Sequence, residues 1–135
     1  MSLTWVRFGS KDALRQLIEA DTIDVSNLNR QFLFRESDVG KPKAEVAARF
    51  IEQRVKDVKI TAYCGKIQDK GEEFYQGFNI IICGLDNVEA RRWINATVVS
   101  MVDPERADSL KPLIDGGTEG KAGECTSLTV ADHIL

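Results

Sequence analysis

Histidine occurs once, at position 133, and cysteine three times, at positions 64, 83 and 125. No Cys-x-x-Cys pair is present, so the chain alone lacks the donors for a closed tetrahedral zinc site. An odd number of cysteines without paired spacing argues against a disulfide framework and for a reducing compartment, cytosol or nucleus. No apolar run approaches the roughly 20 residues that a membrane helix needs. The first residues lack the charged-then-apolar pattern of a secretory leader. Eighteen Lys and Arg stand against 21 Asp and Glu, a net charge of −3. Nothing in that balance makes a basic surface for nucleic acid. What is present is ordinary for a soluble globular protein: 135 residues, 43% apolar and 29% charged, enough for one domain around one core.

There is no internal repeat and no low-complexity linker. Strand-like apolar runs alternate with helical patterns, which predicts βαβ units and a mainly parallel sheet. Lys41-Pro42-Lys43 opens the clearest helix, because proline suits a first helical turn. Val46, Ala47, Phe50, Ile51 and Val55 then recur at helical spacing, so a helix is expected over 42–55. Residues 58–63 alternate apolar and polar as a strand, 71–77 form a short helix, and 79–83 read as a buried parallel strand. Ala90, Trp93, Ile94, Thr97, Val98, Met101 and Val102 make one helical stripe over 87–102, and Leu113-Ile114 ends in the tight turn Asp115-Gly116-Gly117. Strand, helix, strand, helix, strand is the spine of a doubly wound fold. We therefore expect an α/β chain with a partial, Rossmann-like, mainly parallel sheet covered by helices.

Residues 21–34 carry the densest chemical signal. Asn27, Arg30 and Gln31 could aim donors at one anion, and arginine's rigid fork suits phosphate. The same residues read equally as a polar loop with a solvated arginine. Asp86-Asn87 stands where a helix cap belongs, so Asp86 is read either as that cap or as a ligand. Trp93 and Cys83 read as core, Arg91 and Arg92 as surface or interface residues, Cys125 as a tail thiol and His133 as solvated.

The segment Asp21-Thr22-Ile23-Asp24-Val25-Ser26-Asn27-Leu28-Asn29-Arg30-Gln31-Phe32-Leu33-Phe34 closely resembles one in ubiquitin-activating enzymes and their bacterial relatives that adenylate sulfur carriers. Four further pieces match in order: Asp38-Val39-Gly40-Lys41-Pro42-Lys43-Ala44; Lys66-Ile67-Gln68-Asp69; Cys83-Gly84-Leu85-Asp86-Asn87 with Ala90-Arg91-Arg92-Trp93-Ile94-Asn95; and Pro112-Leu113-Ile114-Asp115-Gly116-Gly117-Thr118-Glu119-Gly120. The wording is closest to the neddylation branch, and the resemblance runs from about Arg15 to Gly120. It implies a partial adenylation domain that uses ATP and Mg to activate the C-terminal glycine of a ubiquitin-like protein. It further implies that Asn27, Arg30 and Gln31 hold the ATP phosphates, that Lys43 approaches the α-phosphate and that Asp86 holds magnesium. Arg30 and Lys43 would then be the catalytic pair. Glu19 matches, more weakly, an acidic residue on the ribose. On bland readings Lys43 is an exposed first-turn lysine and Glu19 a surface acid.

Both ends depart from the family. Its first strand leads into a glycine-rich phosphate loop, whereas Trp5-Val6-Arg7-Phe8-Gly9-Ser10-Lys11-Asp12-Ala13 keeps only Gly9, so residues 1–14 are a divergent start. Residues 121–135 form a divergent tail, without the family's zinc-binding Cys-x-x-Cys pairs or its thioester cysteine domain. The expectation is an enzyme piece incompetent alone, working with a partner adenylation subunit as a heterodimer or by self-association. A rival is a non-catalytic module that retains the fold and pairs with such a subunit. A dinucleotide-binding dehydrogenase would need the missing glycine fingerprint and leaves Asn27 to Gln31 unexplained.

Overall fold

Runs rich in leucine, isoleucine and valine supply four parallel strands in the computed structural model, which describes residues 3–6 and 13–115. The strands are β1 (Leu3–Val6), β2 (Ala13–Glu19), β3 (Val58–Cys64), β4 (Ile80–Cys83) and β5 (Leu113–Asp115), and the helices are α1 (Lys43–Arg54), α2 (Glu72–Gln76) and α3 (Val88–Ser100). The sheet order is β3-β2-β1-β4-β5. β2 pairs parallel with β3, and β4 with β5, while β1 lies antiparallel between β2 and β4. The expected parallel α/β sheet is present, with one strand reversed at its centre.

Side chains alternate across a strand, so neighbours in β2 feed opposite layers. Leu17 packs with Ile23, Phe34, Ala44, Val46 and Ala47 against α1. Ile18 packs with Tyr75, Phe78, Ile81, Cys83, Ile94 and Val98 beneath α2 and α3. The α1 crossover joins β2 to β3 on one face, and α3 joins β4 to β5 on the other. That reversal is the topological switch at which open α/β sheets bind ligands.

Local chemistry sets the element ends. Pro42, φ −61°, is the N-cap of α1 rather than its first helical residue. Gly40 turns the chain just before it at φ +84°, a left-handed conformation that favours glycine, and its N–H donates to the Ile23 carbonyl at 2.8 Å. Asn87 caps α3 by accepting from the Ala90 N–H at 2.7 Å. Trp93 is half-buried against the core.

Candidate functional site

A cleft of about 370 Å³ opens at the carboxyl ends of the parallel strands. Ile18, Glu19, Ala20 and Asp21 line it from the end of β2 and just beyond, Gly65 to Gln68 from just after β3, and Leu85, Asp86, Asn87, Glu89 and Ala90 from the β4–α3 turn and the start of α3. β1 runs away from this end of the sheet, since Leu3 pairs with Ile18 and Val6 with Arg15. The carboxyl end of β1, where a parallel first strand would present a phosphate loop, is therefore at the opposite end.

The acidic groups take distinct places. Glu19 is only 6% exposed, so it is not the surface acid of the bland reading; it lies within the cleft lining. Asp86 is exposed and lines the cleft from the β4–α3 turn. The Asn87 side chain fills the capping role, so Asp86 precedes the cap and is among the residues that line the cleft.

Of the expected phosphate-binding residues, Asn27, Arg30 and Gln31 lie on the segment between β2 and α1 and Lys43 opens α1, and none of them lines the cleft itself. Lys43 is buried at 8% exposure, against the bland reading of a solvated lysine, and its Nζ meets Asp21 Oδ2 at 3.1 Å. Through Asp21 it reaches the cleft rim. Asn27 is buried, and its Oδ1 accepts from the Asp24 N–H at 3.0 Å, fixing the turn that carries it. Arg30 is exposed and its Nη1 donates back to the Ser26 carbonyl at 2.9 Å. Gln31 is half-buried, with its N–H donating to the Asn27 carbonyl at 2.9 Å. Serial bonds thus tie Asn27, Arg30 and Gln31 into one turn.

Sequence reasoning missed Lys66, Gln68 and Glu89 as lining residues; the Lys66-Ile67-Gln68-Asp69 match was the available signal. Arg91, read as a surface or interface residue, is half-buried, and its Nε lies 3.0 Å from Asp115 Oδ2. Burial pushes the Cys83 thiol up to about 12, with the Asp115 carboxylate adding to the effect. That makes Cys83 the inert core residue expected, since a nucleophilic thiol needs a depressed pKa. Cys125 and His133 lie outside the described residues. Among the described residues no cluster of three His, Cys, Asp or Glu could hold a metal by itself, and no helix is long and apolar enough to cross a membrane.

Known proteins resemble this chain in sequence and in fold. The chain is 60% identical over 114 residues to the NEDD8-activating enzyme E1 catalytic subunit of Caenorhabditis elegans, covering 80% of this chain and 26% of that protein. It is 55% identical over 108 residues to the Schizosaccharomyces pombe protein of that name, covering 80% and 24%. SUMO-activating enzyme subunit 2 of Dictyostelium discoideum is 40% identical over 110 residues, covering 80% and 15%. The chain thus spans about a quarter of the length of its NEDD8-activating relatives. Among solved structures, the crystal structure of E. coli MccB with ATP superposes with a TM-score of 0.58 at 27% identity, covering 74% of this chain and 28% of MccB. The family model described as ThiF matches residues 14–133, past Gly120, and on that match the chain belongs to the ThiF family.

Proposed function

We propose that this chain carries part of an adenylation site that activates the C-terminal glycine of a ubiquitin-like protein with ATP, in the manner of neddylation. The observation that carries the reading is the cleft at the switch point, with Glu19 and Asp86 both in its lining, in a chain so similar to NEDD8-activating catalytic subunits. MccB, a structural relative, is an ATP-bound protein.

In this reading a carboxylate oxygen attacks the α-phosphorus, the bond to the bridging oxygen of pyrophosphate breaks, and pyrophosphate leaves. Two anions must meet, so fixed positive charge lowers the barrier. Lys43 and Arg30 are the residues we assign to that task, with Asn27 and Gln31 as phosphate donors and Glu19 toward the ribose. No protein nucleophile is needed, so positioning does most of the work. Asp86 fits magnesium, which binds through one or two carboxylates together with substrate phosphates. When bound, the ion would neutralise phosphate charge. Reaching phosphate requires Arg30 to release the Ser26 carbonyl and Lys43 to share itself with Asp21.

We place the chain in the cytosol or nucleus, beside a partner adenylation subunit. The reversed β1 favours a second reading, a pairing module without full catalysis, because it brings no phosphate loop to the cleft. Each missing charge-assisted hydrogen bond costs about 1.5–3 kcal/mol, so two would weaken nucleotide binding about a hundredfold or more. Calorimetry with ATP and magnesium, beside pyrophosphate exchange with a panel of ubiquitin-like proteins, tests both readings. We expect weak ATP binding, and exchange only when a partner subunit is added. Exchange by the chain alone would show the phosphate loop to be dispensable; no ATP binding at any concentration would leave the pairing module.

A further inference from the structure

The Arg91 guanidinium joins three elements at the edge of the cleft. It projects from the first turn of α3; its Nη2 donates to the Leu85 carbonyl at 2.8 Å and its Nε lies 3.0 Å from the Asp115 carboxylate at the end of β5. The Leu85 carbonyl belongs to the same peptide group as the Asp86 N–H, so holding it fixes the plane from which Asp86 projects. Leu85 is buried and anchored in the core, Asn87 is fixed by its cap bond, and Asp86, exposed as Asn87 is, stands between them. The Asp115 contact is a close ion pair rather than an aligned hydrogen bond, since Nε makes none, so the Leu85 bond is the directional one: a planar guanidinium can hold that carbonyl while its charge lies beside the carboxylate, whereas an ammonium is a point charge. The side chains of Arg91 and Asp115 are 25% and 17% exposed, so solvent screens this pair less than an open surface pair.

We propose that Arg91 is a positioning residue for the cleft, setting where the Asp86 carboxylate stands by clamping the β4–α3 turn to β5. The proposal rests on the reading of the cleft as a magnesium–nucleotide site. Arg91 touches neither nucleotide nor metal in this role; it acts through Asp86.

The test is ATP binding by calorimetry, with magnesium and with EDTA, on the full chain and on Arg91→Met, Arg91→Lys, Asp115→Asn and Asp86→Asn. The wild-type chain should bind ATP more tightly with magnesium than with EDTA. Arg91→Met and Arg91→Lys should lose that metal-dependent increment, about tenfold or ~1.4 kcal/mol, while binding in EDTA is unchanged. Combining Arg91→Met with Asp86→Asn should cost no more than either alone, because both act on one group. Should Arg91→Met not fold, Arg91→Lys and Asp115→Asn carry the same comparison. Equal weakening with and without magnesium, additive losses, or an increment left intact would each overturn the proposal while leaving the cleft reading in place. A wild-type chain that binds no ATP would overturn the cleft reading and the proposal with it.

Discussion

Two segments leave the carboxyl ends of the strands that flank β1, and they are held in opposite ways. The one after β2 runs over residues 20–42 and bonds largely to itself: Asn27 to Asp24, Arg30 to Ser26, Arg35 to Phe32 and Phe34, and Lys41 to Asp38. Only Ile23, Asn27 and Phe34 are buried in it. The one after β4 is four residues, 84–87, pinned by a buried Leu85, an asparagine cap and one guanidinium. Segments with few buried contacts and exposed local bonds open at low free energy, while those tied to the core open with the whole domain. The comparison assigns different work to each. The short turn holds Asp86 between two fixed neighbours, and the long segment is the one that can open by itself.

The largest break in this comparison should come from the core under the short turn. Ile94 is 1% exposed and seats α3 on the sheet with Ile81 and Val98. Ile94→Ala should cost about 2–5 kcal/mol of stability, the range for buried aliphatic truncations, read as a lowered urea midpoint. The β4–α3 turn should lose hydrogen-exchange protection together with α3. If the loss is confined to α3 while the turn stays protected, the turn is held by Arg91 and Asn87 without the core.

A smaller effect should follow from the cap alone. Asn87→Ala removes the acceptor for the Ala90 N–H, and cap loss costs about 1 kcal/mol within a range of 0.5–2. Exchange should quicken at Ala90 and leave the segment after β2 unaffected. Faster exchange at Asn27 or Gln31 would mean that the two segments are coupled, against the division drawn above.

The sequence made the short side of this comparison legible and left much of the long side dark. The run at 79–83 and the stripe at 87–102 correspond to Ile80–Cys83 and Val88–Ser100, because their apolar residues sit at the strand and helix periods. β2 was not marked, since Arg15 and Gln16 interrupt its apolar pattern. β1 was not marked either, and its reversed pairing between β2 and β4 is a non-local choice that no local pattern encodes. In the site, Asn27, Arg30, Gln31, Lys43 and Asp86 were named by type and motif. What each meets was not readable: Lys43 meets Asp21 from 22 positions away, Glu19 is buried at the end of β2, and Arg91 finds Asp115 only once β5 is in place.

The smallest expected effect is a pH dependence confined to the long segment. Asp24 is held below its ordinary value of 3.8, first by the Ser26 N–H, which donates to its Oδ1 at 2.8 Å, and then by the Ser26 side chain. Asp38 is held below 3.8 first by Lys41, 2.9 Å away, and then by the Arg35 N–H. In the unfolded chain both carboxylates return toward 3.8, so below that pH the unfolded state binds more protons than the folded one. Stability contributed by these groups is therefore fully present above about pH 4 and is lost as pH falls through the lowered folded values. Asp24 is exposed, and Asp38 is half-buried beside an exposed Lys41, so salt screens the Lys41 pairing and the contribution is small. Carboxyl chemical shifts followed by NMR from pH 6 to pH 2 should give midpoints below 3.8 for Asp24 and Asp38. Amide exchange should quicken over 24–41 before it does over 84–100. Midpoints at or above 3.8 would remove the bonds assigned to Ser26 and Lys41. Simultaneous loosening of both segments would show that the long one does not open alone.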